Sequence, residues 1–376
     1  VNPTTETQVR LFASPRAGVE AEAVRQLYAV ARLPGVRLAA GFPSLKQGRL
    51  SPSGAAFVTE DILYPHLAGT DPGCGMALFA TTLLRKEIDL DRWSGLPFDL
   101  ESPWGECVQD FLAERGVDST AFDASLGTLG GEGHFAELQR VEEVHDLAMF
   151  RRLGLGRQQL VLLVHGGSRE LGESVLRSMS TGRTGQGVEV GSYSANEFLE
   201  QQEATTRWAS ANRELIARRF AGTLGAEATC LWETAHNGIE RRETATGTAW
   251  IHRKGTVPTD EGPIVLAGSR GSLSYLVNPR SDTEPHAWSL AQGVGRRWSR
   301  TEARLRMRER FAGHPLDETP LGGRVVCGSR DLLYEEAPGA YRDVHATVQD
   351  LEEAGLVSVV ATFRPILTYK TRGLHG

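Results

Sequence analysis

Five residues of this chain have side chains suited to holding divalent metal ions: Asp71, Cys74, His134, His165 and His236. Each lies in or beside a polar loop, and glycines crowd most of these loops: "GTDPGCGM" from Gly69, "GTLGGEGHF" from Gly127, "HGGSRELG" from His165 and "AHNGIE" ending at Glu240. Three imidazoles, one thiolate and one carboxylate can hold two ions if the thiolate bridges, because its sulfur has lone pairs for both. Taken singly, a histidine or cysteine at a strand end is ordinarily a satisfied polar residue. Glycine-rich surroundings argue for more, since glycine is used where φ must be positive or where backbone must approach a ligand closely. No spacing along the chain shows that the five side chains meet.

The elements that must position them are partly legible. The apolar runs "QLVLLV" ending at Val164 and "GPIVLAG" ending at Gly268 are strand-like, and each flows into a polar, glycine-containing loop, so chemistry is expected at strand ends. Helical periodicity places Val24, Leu27, Tyr28 and Ala31 on one face of a scaffold helix, and predicts further helices from about Ala195 to Phe220 and over "TEARLRMRERF" from Thr301. No repeat, heptad run or long linker divides the chain, which predicts a single domain over residues 1–376.

With 376 residues, 40% hydrophobic and 23% charged, the chain has the composition of a globular protein with a sizeable core. No run of about 18 apolar residues and no signal-peptide pattern are present, so the expectation is a cytoplasmic protein without a membrane partner. The four cysteines (Cys74, Cys107, Cys230, Cys327) form no CxxC pair, which argues against a disulfide framework. A net charge of −6 gives no overall attraction for nucleic acid, so an RNA or DNA partner needs a local basic patch. "HRK" at 252–254 and "GRRWSRTEARLRMRERF" from Gly295 are such patches. Among the seven other histidines, His252 is the one expected to contribute to a phosphate or nucleic-acid surface; His66, His145, His286, His314, His345 and His375 are read as ordinary.

Taken in order, "DPGCGM", "LGTLGGEGHFAELQ", "HGGSRELG", "AHNGIE", "HRKGT", "GSRGSLSY", "GVGRRWSR", "EEAPGAYRDV" and "FRPILTYK" resemble the RtcB family of RNA ligases, over about Gly69 to Lys370. The closing "RPILTYKTRG" looks like the bacterial relatives that accompany a peptide-release-factor homologue. The resemblance implies a mixed α/β (α+β) fold, with central β-sheets flanked by helices and a metal site at strand-end loops. It implies GTP- and Mn(II)-dependent joining of RNA ending in a 2',3'-cyclic phosphate or 3'-phosphate to RNA beginning with a 5'-hydroxyl, through a guanylylated histidine, in RNA repair or tRNA processing. Carried over residue by residue, Cys74, His134 and His165 would hold one Mn(II), and Asp71, Cys74 and His236 the other. On ligand softness alone zinc suits a His/Cys site, so Mn(II) comes from the resemblance. GTP would meet Gly133, His134, Glu137, His236, Asn237, Gly268, Ser269, Arg270, Ser274, Gly293, Gly295, Tyr341 and Lys370. Arg296 and Arg300 would clamp RNA phosphate, while Arg297 reads as a solvated helix start.

Two departures bear on mechanism. The family's nucleophilic histidine, in the motif HGAGR, is replaced by Gln292 in "QGVGR". A neutral imidazole nitrogen can attack phosphorus, whereas an amide nitrogen has its lone pair delocalised into the carbonyl, so Gln292 forms no phosphoramidate. Gly133 stands where the family usually has asparagine, and Glu132 beside it adds a negative charge. Three accounts of Gln292 stay open at this point: a deliberate substitution that stops the reaction, a natural relative that no longer ligates, or another nucleophile among Lys254, His252 and His286. The alternative function is a non-ligating dimetal RNA-end-binding protein or a cyclic-phosphate hydrolase.

Overall fold

The computed structural model describes residues 7–131, 133–180, 185–280, 282–311 and 315–372; Glu132, His314 and His375 lie outside them. Two sheets carry the architecture. The larger has eight strands, seven of them in the spatial order Ile264–Leu266, Ser274–Pro279, Val357–Tyr369, Phe135–Val144, Gln159–Gly166, Gly75–Leu84 and Ala228–Ala235, each antiparallel to its neighbour. Arg324–Val326 adds a short parallel strand beside Val357–Tyr369. The second sheet orders Gln8–Leu11, Val36–Lys46, Ser53–Thr59, Gly247–Lys254 and Asn237–Thr244. The expected mixed α/β class, sheets with flanking helices, is what the chain adopts.

The strand Gln159–Gly166 is apolar without alternation because both of its faces are covered. Leu160, Leu162 and Val164 join a core cluster with Ile216 and Phe220, while Val161 and Leu163 join another with Leu276 and Phe363. Ile216 and Phe220 belong to the long helix Tyr193–Thr223, which starts where Ser192 caps the amide of Ala195 and buries Phe198 and Trp208 as well. Its 31 residues cover the sheet behind the strands that end at the candidate metal ligands.

The periodicity at 24–31 corresponds to the helix Ala21–Ala31, with Leu27 and Ala31 buried. Tyr28 departs from the expected face: it is 51% exposed, because the helix packs on the second sheet through the narrower stripe of Ala23, Leu27, Val30 and Ala31. The basic segment forms the helix Arg300–Arg310, capped by the Ser299 hydroxyl. Among the described residues no helix is long and apolar enough to cross a membrane.

Candidate metal centre and adjoining cleft

Register brings the ligand loops together. Gly75 pairs with Gly166 on one side and Ala235 on the other, and His165 pairs with Phe135. Four neighbouring strands therefore present Cys74, His134, His165 and His236 at one end of the sheet, alternating between the residue before a strand and the residue near its close. Asp71 joins them through a tight turn in which the Cys74 amide donates to the Asp71 carbonyl at 3.1 Å.

The five side chains meet. Cys74 Sγ lies 3.4 Å from His134 Nε2 and 3.6 Å from His165 Nε2. The ligand atoms of Cys74, His165 and His236 lie within 4.8 Å of one another, as do those of Asp71, Cys74 and His134. Cys74 belongs to both groups, which is what a bridging thiolate requires. The remaining ligands divide between the two groups differently from the sets carried over by resemblance.

These residues fit divalent ions chemically. Each histidine has its Nδ1 on a carbonyl oxygen: His134 on Leu129 O at 3.1 Å, His165 on Gly133 O at 3.3 Å, and His236 on Gln292 Oε1 at 2.5 Å. A backbone carbonyl only accepts, so the His134 and His165 rings donate from Nδ1 and keep the lone pair at Nε2, the form that binds a metal. Burial keeps the rings neutral, pushing His134 down to about 3 and His236 to about 4. Burial also raises Asp71 to about 6, opposed by hydrogen bonds from the Ser168 amide and hydroxyl.

Beside this cluster opens a cleft into which His165 also faces. Among its lining residues are Gly133, Glu137, Gly268, Ser269, Arg270, Gly293, Gly295, Arg296, Arg300, Tyr341 and Lys370 from the expected set, together with Lys46 and Glu336, which were not singled out from sequence. Five cations (Lys46, Arg270, Arg296, Arg300, Lys370) thus face two carboxylates (Glu137, Glu336), an excess suited to a polyanion. Arg270 is buried with its Nη1 lacking a partner among the described residues, while its Nη2 donates to Leu333 O. Glu137 is buried and accepts from Gln139 and Thr368, each at 2.7 Å. Ser274 receives the other contact of the Gln139 amide at 3.0 Å.

Residues 114–371 match the family described as tRNA-splicing ligase RtcB. The RNA-splicing ligase RtcB2 of Escherichia coli is 37% identical over 96% of this chain and 95% of its own length. The tRNA-splicing ligases RtcB of Thermococcus kodakarensis and Archaeoglobus fulgidus are 28% and 26% identical, over 90% and 93% of this chain and 88% and 91% of their own. The chain belongs to the RtcB family.

Within this RtcB-family site some expected residues have other work. Asn237 does not line the cleft; its amide donates to Asp71 O at 3.1 Å and accepts from the Gly255 amide at 3.0 Å, bracing two ligand loops. Arg296 faces the cleft, but its guanidinium is engaged by Glu336, Tyr341, Trp298 O and Glu335 O, so Arg300, 42% exposed, is the freer of the two arginines. His252 is fully buried and accepts the Tyr64 amide at 2.9 Å, which removes it from any phosphate surface. Lys254 donates to Ser51, and the buried His286 is bound to Ser289 O.

Sequence reasoning missed the braces behind the ligands. Arg213, 1% exposed, donates from Nη1 to Gly73 O and Gly166 O, both at 2.8 Å, and pairs with Glu233. Asn212 beside it donates to Gly167 O at 3.0 Å and accepts from the Gly127 amide at 2.7 Å. Two consecutive residues of one helix thereby tie three ligand loops together. Their signal was weak, since an arginine in a helix reads as surface unless its burial is known. Arg169 adopts φ 60° and lies against Gly130, where a Cβ would meet its guanidinium.

Proposed function

We propose that this chain, a member of the RtcB family of RNA ligases, engages RNA 3'-phosphate or 2',3'-cyclic phosphate ends at a two-metal centre held by Asp71, Cys74, His134, His165 and His236. The observation that carries the reading is the convergence of these five ligands, with Cys74 common to both groups, beside a cationic cleft. Two bound ions would neutralise and orient phosphate oxygens there. The family assignment points to Mn(II) and to GTP as the nucleotide, with a 5'-hydroxyl RNA as the second substrate. Cleft cations Lys46, Arg270 and Lys370 would hold the triphosphate, Glu137 would accept from a guanine N–H edge, and Arg300 would meet the RNA phosphate at the mouth.

Gln292 sets the limit of this activity. Its amide supplies no nucleophilic lone pair, so the chain carries no guanylylated residue at this position. A second reading follows from the same residue: a chain that holds metal and RNA ends without joining them, or that opens a cyclic phosphate with metal-activated water. It is favoured by the engagement of Gln292 Oε1 on His236, which gives the side chain a place inside the site without a covalent role.

The test is metal content and end recognition together. Wild-type protein should carry two divalent ions per chain by elemental analysis, and Cys74→Ala should lose both because it removes the shared ligand. A 3'-phosphate oligoribonucleotide should bind more tightly than its 3'-hydroxyl counterpart only in the metal-loaded wild type. Unchanged metal content in Cys74→Ala, or equal affinity for both ends, would contradict the proposal.

A further inference from the structure

The three histidines of the centre share one arrangement and differ in who supplies it. His134 and His165 place Nδ1 on backbone carbonyls of their own neighbourhood, Leu129 and Gly133. At His236 the oxygen at Nδ1 is instead the side-chain Oε1 of Gln292, 56 residues away in sequence.

The aim of that side chain is set by its backbone. The Gln292 carbonyl accepts the Ala267 amide at 3.1 Å, and Gly293 forms a parallel bridge with Ala267, so the residue is pinned to the strand end Ile264–Leu266. Gln292 is 1% exposed, and its Nε2 is buried without a partner among the described residues. The one hydrogen bond of this buried side-chain amide among them is therefore the one to His236.

We infer that Gln292 is a positioning residue for His236: its carbonyl oxygen accepts the hydrogen bond from Nδ1–H and so holds the imidazole in the tautomer that keeps its lone pair on Nε2, free for a metal. The position that carries the nucleophile in the family is here converted into the third of three carbonyl supports. This inference rests on reading the cluster as a metal centre, and it adds a role for a residue that otherwise only marks a lost reaction. A carbonyl acceptor at Nδ1 also raises the basicity of the ring as a ligand, and loss of such partners typically weakens metal binding 10- to 100-fold. The unused Nε2 has no part in this role, so a carboxylate at 292 should serve as well as the amide.

Two measurements decide the matter. In metal-free wild-type protein labelled with 15N-histidine, long-range 1H–15N correlation should show His236 protonated at Nδ1. A proton on Nε2, as a reversed Gln292 amide would produce, overturns the inference. In chelator competition with Mn(II) and Zn(II), Gln292→Leu should bind one ion 10- to 100-fold more weakly than wild type, and Gln292→Glu should recover wild-type affinity to within a few fold. Equal affinity of wild type and Gln292→Leu, or failure of Gln292→Glu to rescue, also overturns it. If wild-type protein binds no divalent ion, the metal-centre proposal itself falls, while the metal-free tautomer still reports on Gln292 alone. The wild-type spectrum keeps the test decisive even if Gln292→Leu does not fold.

Discussion

Glu336 sits with no exposed side-chain surface between Lys370 at 3.0 Å and Arg296 at 2.8 Å, and receives the Tyr341 hydroxyl as well. Burial disfavours its charge, yet Lys370, Arg296 and the Tyr341 hydrogen bond outweigh that and bring its pKa down to about 2 from an ordinary 4.5. A carboxyl depressed on folding stabilises the protein fully above its unfolded value, and that stabilisation is lost as pH falls through the folded one. Replacing Glu336 by Gln should therefore cost roughly 3–5 kcal/mol near neutral pH, because the buried Lys370 and the part-buried Arg296 lose their shared counter-charge. The difference in unfolding free energy between the two proteins should shrink between pH 4.5 and 2. A difference that is flat with pH would show that Glu336 is not the ion holding these cations. The motif "EEAPGAYRDV" carries Glu336 five residues before the expected Tyr341. Nothing in a string of letters distinguishes a buried glutamate from a solvated one. The candidate metal ligands are easier to pick out, because glycines cluster around most of them.

At the scale of elements, the strands and their polar ends were legible where apolar runs stop at glycine-containing loops, as at Val164 and Leu266. Their lateral order was not, since antiparallel pairing of Gly75 with Gly166 and Ala235 depends on contacts up to 160 residues apart. The helix Tyr193–Thr223 was recognised as scaffold, and it proves to be more than that, because Arg213 and Asn212 hold ligand loops from behind. Arg213→Lys keeps a charge for Glu233 but replaces a planar fork by a single ammonium, which cannot hold two carbonyls and a carboxylate in the same geometry. Metal affinity should fall roughly 10-fold by chelator competition, as for other supports of ligand geometry. Unchanged affinity would mean that the strand pairing alone sets the ligand positions.

For the molecule as a whole, charge decides where RNA can approach. The chain carries −6, while the helix Arg300–Arg310 has five arginines against two glutamates. Arg300 both starts that helix and lines the cleft, and Arg304 and Arg308 follow at four-residue spacing on the same side. Substituting Arg304 and Arg308 by Gln should lower the slope of log affinity against log salt for a single-stranded RNA by about 1.4, at roughly 0.7 per phosphate contact. An unchanged slope would place the RNA path elsewhere.

The central claim is that an RtcB-family two-metal site persists in this chain with its covalent step removed at one residue. The most direct measurement incubates wild-type protein and Gln292→His with α-labelled GTP and Mn(II), denatures both, and measures label retained on protein. Label on Gln292→His and none on wild type is the predicted result. Label on wild type would contradict the account by revealing another nucleophile, and label on neither would mean that the cleft no longer presents GTP to residue 292.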